Sequence, residues 1–123
     1  MKPDQYRELT TPELVIEFTN ICLAQSQAIE REENAIYNRL FERMQIVEAE
    51  LKARPNDQRR ALQALFGTGN LQVRLMAAQA NLAVDYHKSR RELAAVAATR
   101  WMPQAAEAGM TLEDLDTGFY RPS

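Results

Sequence analysis

The chain has 123 residues, 46% hydrophobic and 26% charged, with a formal net charge of −2. That length suits one domain with one modest core, and the composition is too apolar for a disordered chain. No apolar run approaches the roughly 18 residues of a membrane span, and a lone cysteine, Cys22, leaves no internal disulfide to form.

The start, Met1-Lys2-Pro3-Asp4-Gln5, lacks the charged-then-apolar pattern of a signal peptide, so the expected location is the cytoplasm. Charge is unevenly spread. Residues 1–51 hold five Lys/Arg against ten Asp/Glu, residues 52–101 nine against three, and residues 102–123 Arg121 alone against four acids. An acidic–basic–acidic order fits charge matching between packed helices, or a basic binding patch in the middle.

Thr11-Pro12-Glu13 supplies a capping hydroxyl, an early proline and an early acid for a first helix. Leu14, Val15, Phe18, Ile21, Cys22, Ala28 and Ile29 follow on one face at helical spacing. Gln25 lies inside that stripe, where its amide needs a partner, expected on the backbone of a neighbouring helix. Asn34 is the expected cap of a second helix with a stripe of Ile36, Tyr37, Leu40, Met44, Val47 and Leu51. Ile46 lies on its other side, near Ala35, Ala49 and Ala53. Arg54-Pro55-Asn56-Asp57 ends this helix.

A short third helix over about 57–66 turns Ala61, Leu62, Leu65 and Phe66 inward. Gly67-Thr68-Gly69-Asn70 is a turn, with Asn70 capping a fourth helix over about 71–84. That helix is apolar on two flanks: Leu71, Leu75, Ala78 and Leu82 on one, Val73, Ala77, Ala80 and Val84 on the other. Its polar residues fall on two narrow strips, Gln72 with Gln79 and Arg74 with Asn81. Such a helix belongs at the centre of the fold. A fifth helix over about 86–100 carries Leu93, Val96 and Ala97 inward, and a sixth over about 103–116 begins at Pro103. Gly109 within it marks a close approach of another helix. The expectation is an all-α fold of about six short antiparallel helices in a single domain, 1–123, ordered over about 11–118.

Asn70-Leu71-Gln72-Val73-Arg74-Leu75-Met76-Ala77-Ala78 resembles the second helix of a HEAT repeat: a turn, Val-Arg, then paired alanines. A weaker echo follows 32 residues on, where Val73, Ala77 and Ala80 correspond to Ala105, Gly109 and Leu112. The HEAT-like segments are thus about 57–84 and 86–116. The chain also resembles a bacterial family of small HEAT/armadillo-like proteins described only as a domain of unknown function. That resemblance rests on Ala24-Gln25, Tyr37-Asn38-Arg39-Leu40, Val73-Arg74, Pro103-Gln104-Ala105 and Ala108-Gly109-Met110-Thr111-Leu112. It implies a helical-repeat fold and supplies no catalytic residue. In HEAT repeats the arginine at the position of Arg74 commonly supports the stack.

Little in the sequence points to chemistry. With one histidine, His87, and one cysteine, no usual zinc set forms, and no cofactor, metal or catalytic residue is assigned. Cys22 reads as a small buried hydrophobe and His87 as a surface residue. Gly67-Thr68-Gly69 lacks the lysine and preceding strand of a phosphate loop, and Glu113-Asp114-Leu115-Asp116 lacks calcium-loop spacing. The expected function is a non-catalytic protein-interaction module, an adaptor or neutralising partner, through Gln72, Arg74, Gln79, Gln104 and Glu107. The alternative is a nucleic-acid or acidic-ligand binder using Arg59, Arg60, Lys88, Arg90 and Arg91 in the segment 52–101. A homo-oligomer is a further expectation, suggested by the two-sided fourth helix and the Ile46 stripe.

Overall fold

The computed structural model describes residues 2–123; Met1, the first residue of the stretch read for a leader, lies outside them. The described residues form six α-helices and one 3₁₀ segment, with no strand. The chain divides into two compact units, residues 1–61 and 62–123.

The first unit is a hairpin of long helices. A short α1 (Pro3–Tyr6) leads into α2 (Thr11–Glu30), which packs on α3 (Asn34–Ala53). At 20 residues each, α2 and α3 are about 30 Å long. The cap of α2 is Thr10, one residue before the expected Thr11. Its hydroxyl accepts from the Glu13 N–H at 3.2 Å while the Glu13 carboxylate accepts from the Thr10 N–H at 2.9 Å. That reciprocal box needs a three-residue spacing to an acid, which Thr10 has and Thr11 does not. Hydrogen bonding of the Glu13 carboxyl to the backbone and side chain of Thr10 holds it below the usual carboxylate range.

Leu14, Phe18, Ile21, Cys22 and Ala28 of α2 are buried, as are Leu40, Met44, Val47 and Leu51 of α3. Each large apolar side chain so buried contributes about 1.5–3 kcal/mol. Ile36, expected in the core stripe, is 39% exposed because it falls within the first turn of α3. Asn34 is the first helical residue instead of the cap; Glu33 holds the cap position without a side-chain bond. α2 ends in a left-handed closure: Glu32 has φ 56°, its N–H donates to Ile29 and the Glu33 N–H to Ala28. This pair of bonds is the Schellman arrangement, with glutamate where glycine is favoured. Gln25 is fully buried and donates to the Met44 sulfur of α3 at 3.7 Å.

One arginine ties the start of the chain to this hairpin. The Arg54 guanidinium donates to the Tyr6 and Leu9 carbonyls, to the Thr11 hydroxyl at 3.2 Å and to Glu50. It gives the Leu9 carbonyl a donor and adds a second to the Tyr6 carbonyl, which also accepts from the Leu9 N–H, and Tyr6 is fully buried. The segment before Thr11 therefore belongs to the packed structure. In the turn that follows, Pro55 precedes Asn56 at φ 66° and the Asp57 N–H donates to the Arg54 carbonyl, as a type II turn requires.

The expected third helix is a 3₁₀ segment, Gln58–Leu65, with Leu62 fully buried. The second unit then holds α4 (Leu71–Asn81), α5 (Tyr86–Ala98) and α6 (Gln104–Thr117). Asn70 caps α4, accepting from the Val73 N–H at 3.1 Å. α4 is buried almost all round, at Gln72, Val73, Leu75, Met76, Ala77, Ala78, Ala80 and Asn81. It stops at Asn81, short of the expected 84. The Asn81 carbonyl takes the N–H groups of Val84 and Asp85, and its amide donates back to Ala77. α5 packs on both α4 and α6, and α4 also touches α6. Gly109 does not mark a close approach: a Cβ there would meet nothing within 4 Å.

Candidate functional site

The two polar strips of α4 face two different neighbours. On the first, Gln104 donates to Gln72 at 3.1 Å, and Gln79 donates to Glu107 and Thr111, both at 3.1 Å. Gln72–Gln104 and Gln79–Thr111 are each 32 residues apart. The weak internal echo at that offset is therefore a physical register, with α4 and α6 running parallel side by side. The Gln72 and Gln104 side chains are buried, so a missing partner would cost on the order of 1–3 kcal/mol.

The second strip faces α5 and the 3₁₀ segment. The Arg74 guanidinium donates to the two Glu92 oxygens at 2.9 and 3.3 Å, and the Gly67 N–H donates to the same carboxylate. Gly67 has φ 74°, which glycine adopts without penalty, and that turn aims its N–H at the carboxylate. The pair is largely buried, with side-chain exposures of 17% and 8%. Asn81 accepts from Gln63 at 3.3 Å, and Gln63 also reaches Asp85 and receives the Lys88 ammonium at 3.0 Å. The five candidate residues are thus joined to side chains of their own unit: Gln72 to Gln104, Gln79 to Glu107, and Arg74 to Glu92.

The basic candidates divide between the units. In the first, Asp57 grips Arg59 with both oxygens, at 2.9 and 2.7 Å, and Arg60 is exposed. Hydrogen bonds from Arg59 hold the Asp57 carboxyl below its usual range. Burial pushes the nearby Glu48 carboxyl up against the opposing pull of Arg59 and Lys52. In the second unit, Lys88 lies 5.9 Å from the Phe66 ring centre, Arg90 bonds Asp116 at 2.7 Å, and Arg91 is exposed.

Cys22 is fully buried, and burial drives its thiol far above the range in which a thiolate forms at neutral pH. His87 is exposed and meets the Tyr86 ring edge-on. Among the described residues no group of three or more His, Cys, Asp or Glu side chains is placed to hold a metal ion, and no helix is long and apolar enough to cross a membrane. Ile46, with Arg7, Ala49 and Glu50, lines an open depression of about 300 Å³.

Sequence reasoning overlooked three residues that organise these clusters: Arg54, Glu92 and Gln63. Each acts through partners 18 to 48 positions away, and no local spacing signals such pairs. The second unit also exposes large apolar side chains. Trp101 is 70% exposed, Met102 62%, Met110 63% and Phe119 84%.

The chain is similar to a protein of known structure, the protein RPA1889 from Rhodopseudomonas palustris CGA009. The two are 43% identical with a TM-score of 0.93, over 95% of this chain and 97% of that one. No curated protein matches this chain. Residues 12–116 match the family described as Domain of unknown function (DUF2019), and the chain belongs to that family.

Proposed function

We propose that this protein is a non-catalytic protein-interaction module of the helical-repeat kind, working as an adaptor or neutralising partner. One observation carries the reading: the second unit turns its polar side chains inward in pairs and leaves Trp101, Met102, Met110 and Phe119 in solvent. Large exposed apolar side chains grouped in one short region are a mark of interaction surfaces, and tryptophan is a frequent binding anchor. The HEAT/armadillo-like reading is supported by the parallel register of α4 and α6, which stacks equivalent helices as repeats do.

The basic residues favour this reading over phosphate binding, since Arg59, Arg74 and Arg90 are engaged by carboxylates of the same unit. The test is affinity capture from source cells with the full chain, beside a Trp101→Ser variant. The expected result is one reproducible partner that the variant loses. Repeated capture of nothing, or binding of single-stranded or duplex probes that fades steeply with salt, overturns it.

A further inference from the structure

Met102, Ala106, Met110, Glu113 and Thr117 are all exposed, whereas Ala105, Ala108 and Thr111 are buried. Steps of three and four residues place the exposed set on one outward face of α6 and just before it. That face is polarised along its length. Exposed Arg100 and Trp101 lie at its N-terminal end, Ala106 and Met110 at its middle, and exposed Glu113 at its C-terminal end, beside half-buried Asp114 and the Arg90-paired Asp116. The last turn holds no basic residue. Arg90 of α5 already pairs with Asp116 at that end, so Glu113 is the exposed carboxylate that opposes the negative end of the helix dipole and that a cation from outside relieves.

We infer that this face pairs with a second copy of this chain, α6 lying antiparallel to α6 across a two-fold axis between Ala106 and Met110. The inference rests on the interaction-module reading and names its partner. The face complements itself in shape, because the axis sets small Ala106 against large Met110 of the copy. It complements itself in charge too: Arg100 and the positive end of one helix meet the acidic end of the other. An isologous contact of this kind closes at two copies. α6 has 14 residues, about 21 Å of helix. One such face buries less than the ~800 Å² per partner of a standard stable interface, so the dimer is weak and concentration-dependent.

Sedimentation equilibrium of the full chain, from micromolar to hundreds of micromolar, tests this. The expected mass rises from 14.1 kDa towards twice that value. Met110→Asp weakens association roughly tenfold or more. Arg100→Glu and Glu113→Arg each weaken it, and the two together restore it; circular dichroism verifies that every variant is folded. A mass of 14.1 kDa at every concentration overturns the proposal. If that monomer still captures another protein and Met110→Asp abolishes the capture, the second-copy partner is wrong and the module reading stands. If it captures nothing, both fall. A dimer indifferent to Met110→Asp and to the charge exchange also overturns the proposal, because its interface is elsewhere.

Discussion

The two units solve one problem, how to hold helices together, in different ways. In residues 1–61 two 20-residue helices meet along a mainly apolar seam, crossed by the Gln25–Met44 contact and the Arg43–Glu17 ion pair, and Arg54 fastens the preceding segment to them. In residues 62–123 the helices are 11 to 14 residues long, with less apolar length per helix and many alanines on α4. That unit is stitched by buried polar pairs as well: Arg74–Glu92, Gln72–Gln104 and Gln79 with Glu107 and Thr111. Long helices fix their register through many interlocking side chains. Short ones gain specificity from a few directional bonds that are costly to misplace.

The largest loss of stability is expected at Glu92. Glu92→Ala strands the Arg74 guanidinium and the Gly67 N–H, and loss of one partner of a buried pair costs about 3–5 kcal/mol. Urea denaturation should show a correspondingly lower midpoint. Arg54→Ala comes next, at about 1–3 kcal/mol, because it leaves the Leu9 carbonyl without its donor. Its effect should be local, so hydrogen exchange is expected to speed up over residues 3–10 more than within α2 or α3.

Two substitutions should each stabilise one unit. Gly109→Ala removes a helix-interior glycine where a Cβ has open space, a gain of about 1 kcal/mol for the second unit. Glu32→Gly relieves the left-handed residue closing α2, a gain of about 0.5–1 kcal/mol for the first. Both are read as shifts in the thermal midpoint.

The smallest expected effect is pH dependence at Asp57. Its folded pKa is depressed by Arg59, so its contribution is present above the unfolded carboxyl pKa. That contribution is lost as pH falls through the lower, folded value. Asp57→Asn should therefore lower stability at neutral pH and flatten the acid side of the stability profile. The effect is small because the Asp57 side chain is one-third exposed.

Local signals carried much of the fold. The Asn70 cap, the proline near the start of α2 and the apolar stripes of α2 and α3 are short-range patterns, and the structure holds them. Thr10 was missed by one residue because the box partner Glu13, not the proline, sets the cap. The short α1 and buried Tyr6 had no periodicity to announce them; their place depends on Arg54, more than 40 residues away. The site was legible in part. Two polar strips on α4 were visible, but Glu92, Gln63 and Thr111 became partners only once α5, α6 and the 3₁₀ segment were in position. Gly109 was misread because an unusual glycine suggests crowding, and here it has none.

The polar residues of α4 act as stitches within the second unit. A double-mutant cycle in urea on Arg74→Met and Glu92→Leu tests it most directly. The expected coupling is about 2 kcal/mol or more, with the double variant recovering most of the stability lost by either single change. A coupling near zero, with both single variants as stable as the parent, would contradict it.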